Sequence, residues 1–338
     1  YCLRADDGQL AWRFQAAPQV RLVAAFDQLE STWPVHGSVL VQNDTLYVAA
    51  GRNSYLDGGI RLYRLDPFTG KALSRTVVYH LDPDTGRQIG WEGSRGFDME
   101  GVRSDLLSGD GESVFMKHVR FDRNGREMKQ TSPPLFSING FLGEEWFVRS
   151  YWIFGTSVGA GWGGWANAAA SAPAGRILAL GDDAVFGYGR TSISSGPVGH
   201  RADAYHLWRR DKKTVPADEP TKKRRQAKKG SLPAPLWSDT SSLIVRAMTL
   251  TPEVLLVAGP PDLGRKTPDL LAFDNQDEAL AGFRGERGVY LRLVSTEDGS
   301  TLTEHRLGAL PVFDGMSAAA GKVFLSLQDG TVACWGEK

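Results

Sequence analysis

The feature that most constrains this chain is a turn that recurs between short β-rich runs. "LDPFTG" (65–70) and "LDPDTG" (81–86) are close copies, and "RADDG" (4–8), "STEDG" (295–299) and "LQDG" (327–330) are looser ones. The Asp or Thr of such a turn closes it through hydrogen bonds to nearby backbone, and the Gly takes the positive φ that the reversal needs. Helical periodicity is scarce along the chain, so the turns punctuate strands.

Read for repeats, the chain gives one unit several times: inner strand, turn, strand, loop, strand, D-x-x-T/D-G turn, outer strand. Residues 38–78 hold the clearest copy, with four strands and turns at Asn43-Asp44, at 51–59 and at 66–70. Segments 1–14, 79–91, 104–128, 176–211, 242–259, 288–307 and 316–336 repeat parts of it. This unit is one blade of a β-propeller. The expectation is an all-β propeller segment over 1–338 with about six blades or part-blades. The first blade lacks its inner strands and the last its outer one. The spacing exceeds the roughly 40–50 residues of a minimal propeller repeat, so insertions sit between blades. A two-sheet sandwich is the competing fold; it predicts polar outer faces and needs no recurring Gly turn.

The aromatic run "EEWFVRSYWIFG" (144–155) bears on that choice. As a strand it is apolar on both faces, with Trp146 and Trp152 on one and Phe147 and Tyr151 on the other. A middle strand of a blade is covered by neighbouring blades on both sides. Trp146 and Trp152 are therefore expected to be structural, at a seam between blades.

Composition sets limits on the rest. The 338 residues carry no formal net charge, so bulk electrostatics draw the chain to neither nucleic acid nor an anionic membrane. Arg149 interrupts the aromatic run, and no apolar stretch is long enough for a transmembrane helix. The 39 Gly and 10 Trp suit β architecture with many tight turns. The chain opens "YCLRADDG", in mid-strand, and reads as the C-terminal part of a longer protein, with any targeting peptide upstream. Cys2 and Cys334 are too few for a disulfide framework or a Cys-rich zinc site. A bridge between them requires the ends to meet, and two separate thiols buried in strands is the favoured reading.

Two insertions stand out. Residues 155–175 form a Gly/Ala-rich loop with Trp162 and Trp165. Residues 209–233 carry ten basic and three acidic side chains, broken by Pro216 and Pro220, and read as an exposed, poorly ordered loop. Without interleaved aromatics the basic run does not read as a nucleic-acid site.

The turn sequences also resemble a known repeat. "CLRADDGQLAWRF", "YRLDPFTGKAL" and "HLDPDTGRQIGW" are similar to the tryptophan-docking motif A-x-D-x-x-T-G-x-x-x-W of the PQQ-like, or quinoprotein-type, β-propeller family. Trp12 stands four residues after Gly8, as the motif asks; Trp91 stands five after Gly86. Ser74, Lys129 and Thr303 hold the position elsewhere. "YVAAGRNSYLDGGIRLYRLDP", "VRAMTLTPEVLLVAGPPD" and "PVFDGMSAAAGKVFLSLQDG" look like a bacterial branch of that family. The family includes PQQ-dependent dehydrogenases and non-enzymatic scaffolds such as the outer-membrane assembly lipoprotein. The resemblance implies a propeller in the periplasm, cell envelope or secreted space and leaves the activity open.

A dehydrogenase of this kind would need a catalytic Asp, a Glu/Asn pair holding calcium beside PQQ, and usually adjacent cysteines. No Cys-Cys pair occurs. Carboxylates cluster at Asp98, Glu100 and Asp105 and at Asp274, Asp277 and Glu278, without calcium-loop spacing. The six histidines show no zinc-ligand spacing. "GAGWGG" (159–164) is not followed by a helix and makes a poor phosphate loop. No catalytic set or metal site is expected. The loop "GRNSYLDGG" (51–59) remains, longer than a turn needs. Arg52 could fork onto a carboxylate or sugar hydroxyls, Asp57 could orient it, and Tyr55 could offer a flat surface. His36 is expected nearby, and Trp162 and Trp165 could cover the site. The expected partner is a protein, carbohydrate or small molecule; an internally hydrogen-bonded connection is the alternative.

Overall fold

The computed structural model describes residues 1–25, 27–35, 37–87, 89, 102, 104, 106–117, 119–129, 133–137, 152–155, 172–190, 205–214, 233–263 and 273–336. They form eight antiparallel sheets of two to four strands, in two compact units. The first unit holds 1–137 and 153–155; the second holds 152 and 172–336.

In the first unit, β1 (Cys2–Leu3) and β2 (Leu10–Trp12) make one hairpin, and β3 (Leu22–Ala25) and β4 (Gln28–Ser31) another. A four-stranded meander follows: β5 (Leu40–Gln42), β6 (Thr45–Ala50), β7 (Ile60–Leu65) and β8 (Ala72–Val78). A second consists of β9 (Leu107–Gly109), β10 (Val114–Met116), β11 (Val119–Phe121) and β12 (Glu127–Met128). The short strands β13 (Leu135–Ser137), β14 (Trp152–Phe154) and β15 (Ala174–Gly175) come next in the chain.

The second unit has the meander β16 (Ile177–Leu180), β17 (Ala184–Arg190), β18 (Tyr205–Asp211) and β19 (Trp237–Thr240). It continues with β20 (Ala247–Leu250), β21 (Val254–Gly259), β22 (Tyr290–Ser295) and β23 (Thr301–Arg306). The three-stranded sheet β24 (Pro311–Ala319), β25 (Lys322–Leu327) and β26 (Val332–Gly336) closes the series. Sequential four-stranded meanders packed face to face are propeller blades.

The middle strands show why a sandwich fails. On β6, Tyr47 and Ala49 join a core with Val114, Met116, Val119 and Phe121 of the next blade. Val48 and Ala50, pointing the other way, join Trp33, Tyr63, Leu65 and Ala16. In the second unit, Leu255 and Val257 of β21 pack with Phe186 and Tyr188, while Leu256 and Ala258 pack with Met316 and Leu325. Side chains alternate across a strand, so each middle strand feeds two cores.

The recurrent turn has one geometry in four places. In 4–8, 66–70, 82–86 and 295–299 the fifth residue, a Gly, donates its N–H to the carbonyl of the first. Those glycines have φ between 65° and 80°. Asp66 Oδ1 accepts from the N–H groups of Phe68 and Thr69 and from the Thr69 hydroxyl; Asp82 does the same for Asp84 and Thr85. These bonds, the Thr backbone N–H foremost, hold both carboxyls below their ordinary range.

A seam device joins consecutive blades at this turn. Trp12 of β2 lies on Gly70, where an added Cβ would meet its ring at 2.4 Å, and its Nε1 donates to Pro67 O at 3.0 Å. Trp237 of β19 repeats this on Gly299, with Nε1 donating to Thr296 O at 3.0 Å. Between the two meanders of the first unit, Tyr47 Oη donates to Arg123 O at 3.1 Å. In all three cases the accepting carbonyl belongs to the second residue of the turn. On that last seam Thr76 of β8 also donates, to Gly125 O at 2.6 Å.

The described residues bear on four expectations. The turn in 79–91 forms, with a bridge residue at Leu81 and Ile89 N donating to His80 O; residues 88, 90 and 91 lie outside the described residues. "NQDEALAGF" contains a helix, α1 (Gln276–Phe283), N-capped by Asn275, so Asp277 and Glu278 are not in a loop. They sit in its first turn, where carboxylates suit the helix dipole. β18 ends at Asp211, as the strand expected over 204–211 does, so the first residues of 209–233 belong to it; 215–232 lie outside the described residues. Both cysteines are free thiols in strands, but Cys2 is half-buried and Cys334 exposed. Of the aromatic run, Ile153 and Phe154 are buried and Trp152 is half-buried. Trp146 and Trp91 lie outside the described residues.

Candidate functional site

The 51–59 loop joins the two middle strands β6 and β7 and is tied down at several points. Gly51 N donates to Pro34 O, and Ser104 Oγ donates to Gly51 O at 2.6 Å. Ser54 is fully buried; its N–H reaches Val102 O, its Oγ accepts from Val102 N at 3.0 Å, and its carbonyl accepts from His80 N. The Asn53 side chain accepts from Tyr55 N at 2.8 Å. The return into β7 needs left-handed backbone at Asp57, Gly58 and Gly59, with φ of 54°, 73° and 86°. At Gly59 an added Cβ would stand 2.3 Å from the carbonyl oxygen of Val78, so only Gly fits.

This rigid loop presents charge. Arg52 reaches Asp57 Oδ2 through Nε at 3.1 Å and Nη2 at 2.5 Å. Arg21 approaches Asp57 Oδ1 at 3.7 Å. The Asp57 carboxylate is 10% exposed, whereas the Arg52 and Arg21 side chains are 32% and 55% exposed. The backbone is fixed beneath them, because Trp33 Nε1 donates to Asp57 O at 3.0 Å. Arg61 lies over the Trp33 ring at 4.7 Å and donates to Gly59 O at 3.3 Å. One carboxylate is thus surrounded by the arginines 21 and 52, and a third arginine lies alongside. Tyr55 meets His80 edge to face at 6.5 Å, and His80 Nε2 lies 3.4 Å from Glu127 Oε2.

The sequence expectation brought Arg52, Tyr55 and Asp57 together, and the structure pairs Arg52 with Asp57. It missed Arg21, Trp33, Arg61 and His80. Trp33 could have been found: a Trp just before the inner strand of the same blade has few other places to go. Arg21 gave no local signal, because the β3–β4 hairpin separates it from the loop. His36, Trp162 and Trp165 lie outside the described residues.

No family model and no curated protein matches this chain. Among solved structures it is similar to BamB from Moraxella catarrhalis, at 11% identity and TM-score 0.33, over 99% of this chain and 66% of that one. It is similar to the dihydro-heme d1 dehydrogenase NirN in complex with DHE, at 13% identity and TM-score 0.35, over 91% and 55%. The Dos1 propeller matches at 10% identity and TM-score 0.35, over 92% and 71%. BamB and NirN are β-propeller proteins of the PQQ-like type. This chain spans about two thirds of the first and about half of the second. At these identities and TM-scores nothing of their chemistry transfers to this chain.

Among the described residues no three His, Cys, Asp or Glu side chains are grouped to share a cation. Glu278 is engaged by Arg287 through bonds of 3.1 and 3.0 Å, and that pairing holds its carboxyl below its ordinary value. Asp98, Glu100 and Asp105 lie outside the described residues. Among the described residues no helix is long and apolar enough to cross a membrane.

Proposed function

We propose that this chain is a β-propeller binding module without catalytic function, in the cell envelope or secreted space, and that its ligand meets the 51–59 rim through an anionic group. One observation carries the reading: the nearly buried Asp57 carboxylate holds two guanidiniums whose outer faces remain exposed. A nearly buried carboxylate fixes a guanidinium fork before a ligand arrives, which lowers the ordering cost of binding. The rim keeps net positive charge for a carboxylate or acidic sugar. The repeat resemblance supports the envelope location.

Oligogalacturonate and a neutral malto-oligosaccharide of equal length serve as probes in an equilibrium titration. The acidic oligomer should bind and the neutral one should not. Arg52→Ala should weaken binding by about tenfold or more while leaving the circular dichroism spectrum unchanged. Equal affinity of Arg52→Ala and the unmodified protein would remove the rim from consideration.

A further inference from the structure

The second unit holds another cluster, independent of the 51–59 rim. β16, β20 and β24 are the first strands of three consecutive sheets and lie side by side. Arg176 immediately precedes β16, Arg246 immediately precedes β20, and Phe313 and Asp314 lie in β24. The Arg176 guanidinium is 5.5 Å from the centre of the Phe313 ring and 6.0 Å from that of Tyr205. Phe313 belongs to the next blade but one. Side chains of such blades meet only where first strands converge, so this contact marks the inner end of the blades. Arg246 stands 5.8 Å over Phe283, at the end of α1.

Two features mark the place as more than packing. First, β24 is bulged: Pro311 pairs with Leu327 and Met316 with Leu325, so the residues between them loop out. The bulge leaves Phe313 38% exposed and holds Asp314 at φ 55°, where a non-glycine residue is strained. Bulges and strained backbone concentrate at sites that re-aim side chains. Second, among the described residues no carboxylate lies within ion-pair distance of Arg246. Burial, and then the like charge of Arg176, pull its guanidinium below its ordinary value. Burial raises the Asp314 carboxyl, and Asp314 forms no ion pair with Arg246.

We propose that this inner end binds a carboxylate attached to an apolar body. Arg246, with Arg176 beside it, takes the carboxylate in its planar fork. Phe313 and Phe283, 38% and 52% exposed, cover the apolar part. A small aromatic acid and a peptide ending in a free C-terminal Phe share this chemistry.

Titration of the purified protein with four probes tests the proposal: phenylacetate, phenethylamine, a tetrapeptide with C-terminal Phe, and its amide. At least one free acid should bind saturably, and the amine and the amide should not. Phenylacetate binding alone assigns the site to small acids, whereas preference for the tetrapeptide assigns it to chain ends. Arg246→Gln should lower acid affinity by about tenfold or more, and Arg52→Ala should leave it unchanged. If Arg246→Gln fails to fold, Phe313→Ser should weaken the same probe. Failure of both acids to bind, equal binding of acid and amine, or undiminished affinity in a folded Arg246→Gln protein would overturn it.

Discussion

At the residue scale, the blades are held by few atoms. Three seams use an aromatic donor on the same turn carbonyl: Trp12, Tyr47 and Trp237. Tyr47→Phe keeps the ring and removes the donor from a buried site. It should cost about 1–2 kcal/mol in urea unfolding. Trp237→Phe should cost a similar amount and Trp237→Ala about 3 kcal/mol, because the ring also covers Gly299. Equal costs for the two Trp237 variants would show that the ring contributes nothing. The turn aspartates give a pH signature. Asp66 and Asp82 are held below the ordinary carboxylate value, so their contribution is present above that value and is lost as pH falls through the depressed ones. The melting temperature should fall with acid in that window, and less steeply in an Asp66→Asn, Asp82→Asn double variant. Parallel slopes would contradict the assignment.

At the element scale, the loop and its strand make separable predictions. Gly59→Ala puts a methyl against the Val78 carbonyl and should cost well over 1 kcal/mol. Gly58→Ala, where nothing lies within 4 Å, should cost only the left-handed penalty of about 1 kcal/mol. Leu62→Ala, in a fully buried middle position, should cost about 2–5 kcal/mol. The sequence revealed these elements unevenly. The four strands of 38–78 and the Asn43-Asp44 reversal were legible, because two consecutive positive φ residues leave few other structures. Trp237 as a docking residue was not. Its turn is replaced by the long 209–233 insertion, so the spacing from Gly to Trp that betrays Trp12 is absent. The helix α1 was hidden too, because eight residues, two of them acids in the first turn, make too little periodicity to separate from a loop.

At the scale of the whole molecule, the repeat made the fold class readable while the site was readable only in part. A propeller is a sum of local units, so each turn votes independently for the same architecture. A binding surface is assembled from loops distant in sequence, which is why Arg52 and Asp57 could be guessed and Arg21 could not. The proposed function requires that this propeller bind its ligand without oxidising it. The most direct measurement adds PQQ and calcium to the purified protein, removes free cofactor by desalting, and reads the spectrum and the alcohol- and sugar-dependent reduction of a dye. No cofactor absorbance should be retained, and no reduction should exceed the protein-free blank. Stoichiometric PQQ in the protein fraction with substrate-dependent dye reduction would contradict the proposed function.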